Sequence, residues 1–462
     1  MKRLSSFELL ALGFMTFALF LGAGNIIMPA LIGMQAGAQA WPASIGFLIS
    51  AVSLPLLAVV ALGRVGGGLI SLASPLGRFV AVCFAVAVYL AIGPLFATPR
   101  TAAVSFEIGL TPFLKFLPGV DQSCLVSEEC YKPVASTALW GYSTLYFAIV
   151  LFLALRPSKI VDNLGKIMTP VLLLGLIVLG GTAMFLPAGE MGPVQAEYSK
   201  VPMVKGFLEG YLTMDALAAL VFGLVIANAI RSKGITDQKL ITRYSIYAGL
   251  MAAVGLSLVY LTLIYLGAGS YDLVKDIPDI NGGLILAKYV EHTFGDVGNS
   301  LLALVIVLAC LTTAVGLITA CAEFFNDLTD IPYWVIASVF TTFSWLISNV
   351  GLSQLLELSI PVLYGLYPLA IALILLALSS KLWNYPSIVF IPVMYVTFIF
   401  GLVDGLNAAK LNAYVPAMFD GLFGVDMQMA WVLPAVFTLC SAIVLDRYAP
   451  QAIKHIAQQI KS

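Results

Sequence analysis

The sequence predicts an all-α integral membrane protein with twelve transmembrane helices, arranged as a five-plus-five inverted repeat with broken first and sixth helices. Of the 462 residues, 61% are hydrophobic and 10% are charged, and the mean hydropathy is +1.00. A soluble protein carries roughly 25% charged residues. The lipid bilayer is therefore the main surroundings of this chain. The net charge of −1 provides no excess of positive charge that would attract nucleic acid.

Apolar windows long enough to cross a membrane recur along the whole chain, and no domain linker separates them. A membrane-spanning helix needs about 17–25 mostly apolar residues. The windows, numbered here as spans 1 to 12, are 7–34, 41–63, 77–110, 138–155, 167–187, 207–230, 243–268, 299–323, 333–350, 355–379, 387–408 and 429–446.

The distribution of basic residues predicts that both termini are cytoplasmic. Fifteen lysines and arginines fall in loops on the side that holds the termini, and seven fall on the opposite side. Loops with an excess of Lys and Arg stay in the cytoplasm. Cys124 and Cys130 then share an outer loop, where they either form a disulfide or remain free thiols.

Span 1 is interrupted by Leu21-Gly22-Ala23-Gly24-Asn25, which places two glycines and an amide in a long apolar run. An opened helix is costly in lipid, because its freed N–H and C=O groups find no water there. Such breaks persist where the backbone lines a cavity and holds a ligand, which is typical of transporters. The N–H groups that begin the second half-helix suit a carboxylate. The alternative is a small-residue seam that packs against another helix.

Span 6 contains a second candidate break at residues 210–215, where Thr213 and Asp215 place a hydroxyl and a carboxylate inside the membrane. An intramembrane carboxylate costs at least ~2.5 kcal/mol and in most proteins faces a partner or a cavity. Asp215 would order the unwound segment, coordinate a cation, take up a proton or cap a free N–H group. The residues alone leave these roles open.

The two breaks lie about 190 positions apart, each in the first member of a set of five spans. Because five is odd, the second set enters the membrane from the opposite side, which produces an inverted repeat. We therefore predict three segments. Residues 1–190 hold spans 1–5, residues 191–380 hold spans 6–10, and residues 381–462 add spans 11 and 12 with a cytoplasmic tail.

Span 8 carries a candidate cation site. Thr312 and Thr313 lie three and four residues after Ala309, which places each of them on the same helical face as Ala309. The Ala309 carbonyl and the two hydroxyls would offer hard oxygen ligands, and carbonyls of the broken span 1 would complete the shell around Na⁺. The alternative is that the threonines bond back to their own helix.

Span 3 contains three further polar side chains, Tyr89, Arg100 and Glu107. The Tyr89 hydroxyl lies deep in the span and needs a partner, which is either a substrate carboxylate or a neighbouring helix. Arg100 and Glu107 share a helical face about 10 Å apart along the axis. They belong either to a gating network or to the outer interface.

An enzyme is not favoured. The only histidines, His292 and His455, lie in a predicted outer loop and in the cytoplasmic tail. The sequence has no metal-spaced cysteine and histidine cluster, no nucleotide-binding loop and no nucleophile elbow. A channel is the stronger rival, but a continuous polar pore would suit it better than isolated breaks in an inverted repeat.

Four segments resemble the bacterial branched-chain amino acid:cation symporter family, the branched-chain amino acid transport system II carriers of the amino acid–polyamine–cation superfamily. They are LALGFMTFALFLGAGNIIMP at 10–29, GPLFATPRT at 93–101, GYLTMD at 210–215 and CAEFF at 321–325. The resemblance runs nearly end to end. It implies an inverted-repeat fold of the leucine-transporter type and uptake of leucine, isoleucine and valine, usually driven by Na⁺.

The resemblance also implies a sodium site. Carbonyls near Ala18 and Leu21 would join Ala309, Thr312 and Thr313 around one Na⁺, the coupling ion. The spacing of the last three residues in this sequence matches the pattern expected for sodium-coupled members of the fold.

For the substrate, the resemblance implies that backbone N–H groups of residues 22–24 meet the carboxylate. Asn25 and Thr213 occupy positions similar to a second cation site beside it. Asp215 departs from the small neutral residue that is common at this place in the fold. It would receive the substrate ammonium.

The prediction is thus a multi-pass secondary active transporter of the bacterial plasma (inner) membrane that imports leucine, isoleucine and valine with Na⁺ by alternating access. An apolar pocket separates these side chains poorly, because one methylene is worth only about 1–3 kcal/mol. H⁺ coupling, a broader range of neutral amino acids and a substrate-sensing transceptor are the alternatives. No obligate protein partner is predicted.

Overall fold

The computed structural model of the chain describes residues 3–116, 128–156, 160–277, 280–416, 419, 424–425 and 427–448. Helices form the regular structure of these residues, and no β-strand occurs among them. The prediction of an all-α protein is therefore confirmed. The question of a Cys124–Cys130 disulfide falls outside the described residues, since Cys124 is not one of them.

The α-helices are labelled here in chain order. Up to residue 185 they are α1 (Ser6–Phe20), α2 (Ala23–Ala36), α3 (Ala40–Leu48), α4 (Leu54–Val65), α5 (Leu69–Leu72), α6 (Arg78–Leu90), α7 (Ala97–Gly109), α8 (Glu128–Ala154) and α9 (Ile160–Phe185). After it they are α10 (Ala196–Lys200), α11 (Pro202–Glu209), α12 (Asp215–Ser232), α13 (Gln238–Ala268), α14 (Tyr271–Val274), α15 (Gly282–Thr329), α16 (Tyr333–Ser348), α17 (Leu352–Leu378), α18 (Pro386–Ala408) and α19 (Val432–Tyr448).

Within the part of the chain that the structure describes, eight helical segments are long and apolar enough to cross a membrane. They are Gly24–Val65, Arg78–Gly109, Lys132–Ala154, Asp215–Ser232, Gln238–Ala268, Gly282–Thr329, Leu352–Leu378 and Pro386–Ala408. Three shorter apolar helices are Ser6–Phe20, Leu173–Phe185 and Tyr333–Ser348. All twelve predicted windows coincide with helical structure, whereas the count of twelve crossings and the inverted repeat stay predictions.

The predicted break in span 1 is present. Helix α1 ends at Phe20, and α2 begins at Ala23. Between them Leu21 has φ −74° and ψ 81°, and Gly22 is extended with φ −101° and ψ −171°. The N–H of Leu21 donates to the Phe17 carbonyl at 2.9 Å and closes the first half-helix. The two residues between the helices therefore leave backbone groups outside either helical ladder.

The predicted break in span 6 is also present. Helix α11 ends at Glu209, a 3₁₀ turn covers Gly210–Thr213, and α12 begins at Asp215. Met214 joins the two with a left-handed backbone at φ 64°. That conformation is strained for a residue with a side chain and persists only where its surroundings impose it. Such residues cluster at binding sites.

A third break, in span 3, was not predicted. Helix α6 ends at Leu90, a π turn covers Ala91–Leu95, and α7 begins at Ala97. Gly93 inside the turn is non-helical, with φ −80° and ψ −112°. Pro94 follows it and has no N–H to donate, which explains why the ladder opens here. The second half, α7, runs beside α15.

The second halves of spans 1 and 6 lie inside the bundle. Helix α2 packs against α13 and α15, and α12 packs against α4 and α13. Glycines bring the backbones together, because a Cβ on Gly33 would lie 1.9 Å from the Ile264 carbonyl oxygen, and one on Gly282 would lie 1.7 Å from that of Ile27. Small residues permit this approach between helices in membranes. The break in span 1 is thus held rigidly by its neighbours.

We predict that Gly33→Ala destabilises the protein strongly, because the added methyl group meets a backbone carbonyl that cannot rotate away. Overpacking costs about 1–3 kcal/mol even where side chains can adjust. The measurement is the thermal unfolding midpoint in detergent. Gly141→Ala in α8 is the control, since its Cβ would meet no atom of the described residues within 4 Å. Equal midpoints for both variants would contradict the close packing of α2 on α13.

Candidate functional site

A small cavity lies between the breaks of spans 1, 3 and 6, and we call it the break cavity. Its volume is about 30 Å³. The polar side chains that line it are Asn25, Arg100, Thr213 and Asp215. The apolar lining residues are Phe20, Ile92, Ala97, Met214, Ala218 and Leu317. A buried water needs roughly 10–15 Å³, so this space holds about two waters and not an amino acid. A larger ligand requires the half-helices to move apart.

A hydrogen-bonded cluster joins the two predicted breaks. The Asn25 side-chain amide donates to Asp215 Oδ2 at 2.6 Å and also to the Tyr260 hydroxyl. The Tyr260 hydroxyl in turn donates to the same oxygen of Asp215 at 2.9 Å. All three side chains are buried. The cluster therefore ties α2, α12 and α13 together at the cavity.

Asn25 also caps the helix to which it belongs. Its Oδ1 accepts the Gly22 N–H at 3.2 Å, and that N–H donates to the Phe20 carbonyl at 2.8 Å as well. The Gly22 N–H is thus engaged. The N–H groups of Ala23 and Gly24 belong to the first turn of α2, where a helix supplies no acceptor of its own. These two donors remain suited to an anionic ligand.

Asp215 is the first residue of α12, where the helix dipole favours a negative charge. Its N–H donates to Thr213 Oγ1 at 3.4 Å, and the Thr213 hydroxyl donates to the Gly210 carbonyl at 2.8 Å. No ion pair among the described residues includes Asp215. The structure thus brings Asn25, Thr213 and Asp215 to one cavity, where the carboxylate accepts hydrogen bonds from the neutral side chains of Asn25 and Tyr260.

Arg100 is a residue of the break cavity that the sequence analysis did not place there. It is the fourth residue of α7 and only 2% exposed. Its Nη1 donates to the Leu212 carbonyl of the span 6 turn at 2.5 Å, and its Nη2 donates to Ser359 Oγ at 3.1 Å. The signal in the sequence was a cation that follows a Gly-Pro pair inside an apolar span.

The other two polar side chains of span 3 lie elsewhere. Tyr89 stacks on Phe324, with ring centroids 3.8 Å apart, and its carbonyl accepts the Cys321 thiol at 3.4 Å. It does not line the break cavity in the described structure. Glu107 accepts a hydrogen bond from the Asn281 side chain and borders a larger cavity of about 750 Å³. Span 3 thus contributes to the break cavity through Arg100.

Tyr260 is the second residue that the sequence analysis missed. It lies in α13 among apolar residues and is fully buried, with its ring 5.2 Å from that of Phe47. Sequence alone offers only a weak signal, a hydroxyl in the middle of an apolar span. Its role follows from the approach of α13 to the breaks, which no local pattern encodes.

Two of the predicted sodium ligands, Leu21 and Thr313, contact each other between spans 1 and 8. The Thr313 hydroxyl of α15 donates to the Leu21 carbonyl at 3.4 Å, across the two helices. Thr312 instead donates to the Ala309 carbonyl of its own helix at 2.9 Å. Ala18 lies in the last turn of α1. Thr312 thus bonds back to its own helix, whereas Thr313 contacts Leu21 across the two helices, and the Na⁺ site itself stays a prediction.

The family comparison matches nearly the whole chain. The profile of the family described as branched-chain amino acid transport protein covers residues 5–449. A branched-chain amino acid transport system 2 carrier protein of Pseudomonas aeruginosa is 56% identical over 447 residues, which are 97% of this chain and 98% of that protein. The branched-chain amino acid permease BrnQ of Escherichia coli K12 is 45% identical over 451 residues, 98% of both chains.

A solved structure shares the fold. The chain is similar to Mhp1, a transporter of the nucleobase-cation-symport-1 family in a closed conformation with bromovinylhydantoin bound. The TM-score is 0.59 over 97% of this chain and 92% of that one, at 12% identity. At this identity the likeness shows a common fold and carries no inference about ligands.

We predict that Tyr260→Phe destabilises the protein, because it leaves Asp215 with one donor fewer in a buried site. An unsatisfied buried polar group costs about 1–3 kcal/mol, and more when it is charged. The same substitution at Tyr265, which is 39% exposed on the same helix, is the control. Thermal unfolding in detergent should show a lower midpoint for Tyr260→Phe alone. Indistinguishable midpoints would mean that the cluster contributes nothing to stability.

Proposed function

The chain belongs to the family of branched-chain amino acid transport proteins, and on this premise we propose that it imports leucine, isoleucine and valine with Na⁺ by alternating access. Membership confirms the resemblance found in the sequence and the prediction of a transport protein rather than an enzyme. The apolar helices agree with a multi-pass membrane protein. We place it in the bacterial inner membrane.

The observation that carries the proposal is the polar cluster between the two broken helices. The Asp215 carboxylate accepts hydrogen bonds from the substrate ammonium, and the N–H groups of Ala23 and Gly24 donate to the substrate carboxylate. The aliphatic side chain then meets the apolar lining of the break cavity, to which Ile92 and Leu317 belong. A polar amino acid would lose the hydration of its side chain there, and this loss favours branched aliphatic substrates.

We further propose twelve transmembrane helices, of which the first ten form the five-plus-five inverted repeat, with both termini in the cytoplasm. Support comes from the breaks at equivalent places in spans 1 and 6, from the fold shared with Mhp1 and from the bias of basic residues. The small break cavity corresponds to a closed conformation. Alternating access opens it to one side of the membrane at a time.

Sodium coupling is supported by the contact between Leu21 and Thr313. A cation between them replaces their hydrogen bond and joins spans 1 and 8, with oxygens from Ala18, Ala309 and Thr312 as further ligands. Carbonyl and hydroxyl oxygens are suitable ligands for a hard cation. Because the ion orders the same break that holds the substrate, each ligand raises the affinity of the other.

Proton coupling is the second candidate, and one observation favours it. Asp215 is buried and has no cationic partner among the described residues. A buried carboxylate without a cation is expensive in a membrane, and a proton removes the charge as well as Na⁺ or a substrate ammonium does. The two coupling ions therefore have different predicted sites, Asp215 for H⁺ and the contact between spans 1 and 8 for Na⁺.

The proposal predicts that proteoliposomes accumulate radiolabelled leucine when an inward Na⁺ gradient is imposed, and that isoleucine and valine compete whereas glutamine does not. A pH gradient without Na⁺ is the second arm. Accumulation in that arm alone would replace Na⁺ by H⁺ as the coupling ion. Competition by glutamine would indicate a broader neutral amino acid carrier. Leucine binding without accumulation under either gradient would instead indicate a sensor.

We predict that Thr313→Val raises the Na⁺ concentration for half-maximal leucine uptake by about tenfold, because one charge-assisted oxygen contact is lost. Thr397→Val is the matched control, since Thr397 is buried in α18 and its hydroxyl donates to its own helix at 2.7 Å. The measurement is initial uptake rate against Na⁺ concentration. An unchanged Na⁺ dependence in Thr313→Val would place the ion elsewhere.

A further inference from the structure

We propose that Arg100 binds the substrate carboxylate, so that Arg100 and Asp215 together select a zwitterion. This inference rests on the proposed function and deepens it. Arg100 is in α7, outside both predicted breaks, and Asp215 begins α12. Both side chains line the break cavity. Each side chain is 2% exposed, so water does not screen either charge.

The first line of evidence is the unsatisfied charge of Arg100. A guanidinium has five N–H donors, and a buried one is normally paired with a carboxylate or a phosphate. The acceptors of Arg100 are the Leu212 carbonyl and the Ser359 hydroxyl, both neutral. Its Nε has no partner among the described residues. A cation this deep in a membrane span is costly, and such residues mark ligand pathways.

The second line of evidence is the place of the guanidinium. A Cβ on Gly24 would lie 3.3 Å from Arg100 Nη1 and 3.2 Å from Thr213 Cα. The missing side chain at residue 24 thus lets Arg100 reach the span 1 break, where the first N–H groups of α2 have no helical acceptor. A carboxylate at this point accepts hydrogen bonds from the helix end and from Arg100 together. Paired N–H donors on one carboxylate are a geometry that arginine favours.

The third line of evidence is the complementarity of the two charges. Arg100 and Asp215 line one cavity but form no ion pair within 4.0 Å, although both belong to the described residues. An α-amino acid supplies one anionic group to the former and one cationic group to the latter. An amine or a carboxylic acid would leave one buried charge without a partner, which costs affinity. The pair therefore distinguishes amino acids from both single-charge analogues.

The test compares three ligands that share one aliphatic skeleton: leucine, 3-methylbutylamine, which lacks the carboxylate, and 4-methylpentanoate, which lacks the ammonium. Calorimetric titration of each into the purified full-length protein in Na⁺ gives the Kd. We expect Arg100→Gln to raise the Kd of leucine about 10- to 100-fold. The Kd of the amine should stay within about threefold of the wild-type value. Asp215→Asn should raise the Kd of leucine as well, but leave the Kd of 4-methylpentanoate nearly unchanged.

Two further variants separate binding from structure. Ser359→Ala removes the neutral partner of Nη2 and should leave the ratio of the leucine and amine Kd values as in the wild type. Arg100→Lys keeps the charge but loses the paired donors, so that the ratio of the leucine Kd to the amine Kd should rise by about tenfold. This variant carries the test if Arg100→Gln does not fold.

An equal loss of affinity for leucine and for the amine in Arg100→Gln would overturn the proposal, because it would assign Arg100 to the packing of α7 against the span 6 turn. An unchanged ratio in Arg100→Lys would overturn it too when Arg100→Gln does not fold. Failure of the wild-type protein to bind leucine at all would overturn the proposed function, and with it this assignment. If the wild-type protein binds leucine, a negative result in the variants counts against the role of Arg100 and not against the proposed function.

Discussion

The structure depends on one constraint: backbone groups that a broken helix frees inside a membrane must find partners, because lipid offers none. Side chains from neighbouring helices supply them here. Asn25 accepts the Gly22 N–H, Arg100 donates to the Leu212 carbonyl, and Thr313 donates to the Leu21 carbonyl. The breaks in spans 1 and 6 are thus stable only inside this arrangement of helices. Polar residues that would otherwise be unfavourable in the bundle are required by it.

In the proposed mechanism, the same partners make this arrangement of helices sensitive to ligands. The contacts at the breaks use groups that an ammonium, a carboxylate or a cation would also use, so that a bound ligand replaces internal hydrogen bonds with its own. A ligand shifts a conformational equilibrium only by its differential affinity for the two states. In the proposed mechanism that difference arises at the breaks, where α2 and α12 meet the cavity. The same applies to charge, since neither Arg100 nor Asp215 has an ionic partner among the residues that the structure describes.

The sequence predicted those parts of the site in which local chemistry conflicts with its surroundings. Glycines with an amide at residues 22–25, and Asp215 in an apolar run, are costly in lipid wherever the chain folds, so the two breaks could be predicted from the sequence. The role of Asp215 could not be chosen in the same way. The left-handed Met214 and the opening of span 3 at Gly93 had weaker local signals. The places of Arg100 and Tyr260 in the site depend on how α7 and α13 approach the breaks. Periodicity does not encode that approach.

An experimental structure of the protein in lipid with leucine and Na⁺ bound would decide whether the broken helices hold the substrate. We expect leucine between the start of α2 and the start of α12, with its ammonium at Asp215 and both half-helix pairs still broken. Leucine in the larger cavity beside Glu107, or unbroken helices in spans 1 and 6, would rule out this mode of binding.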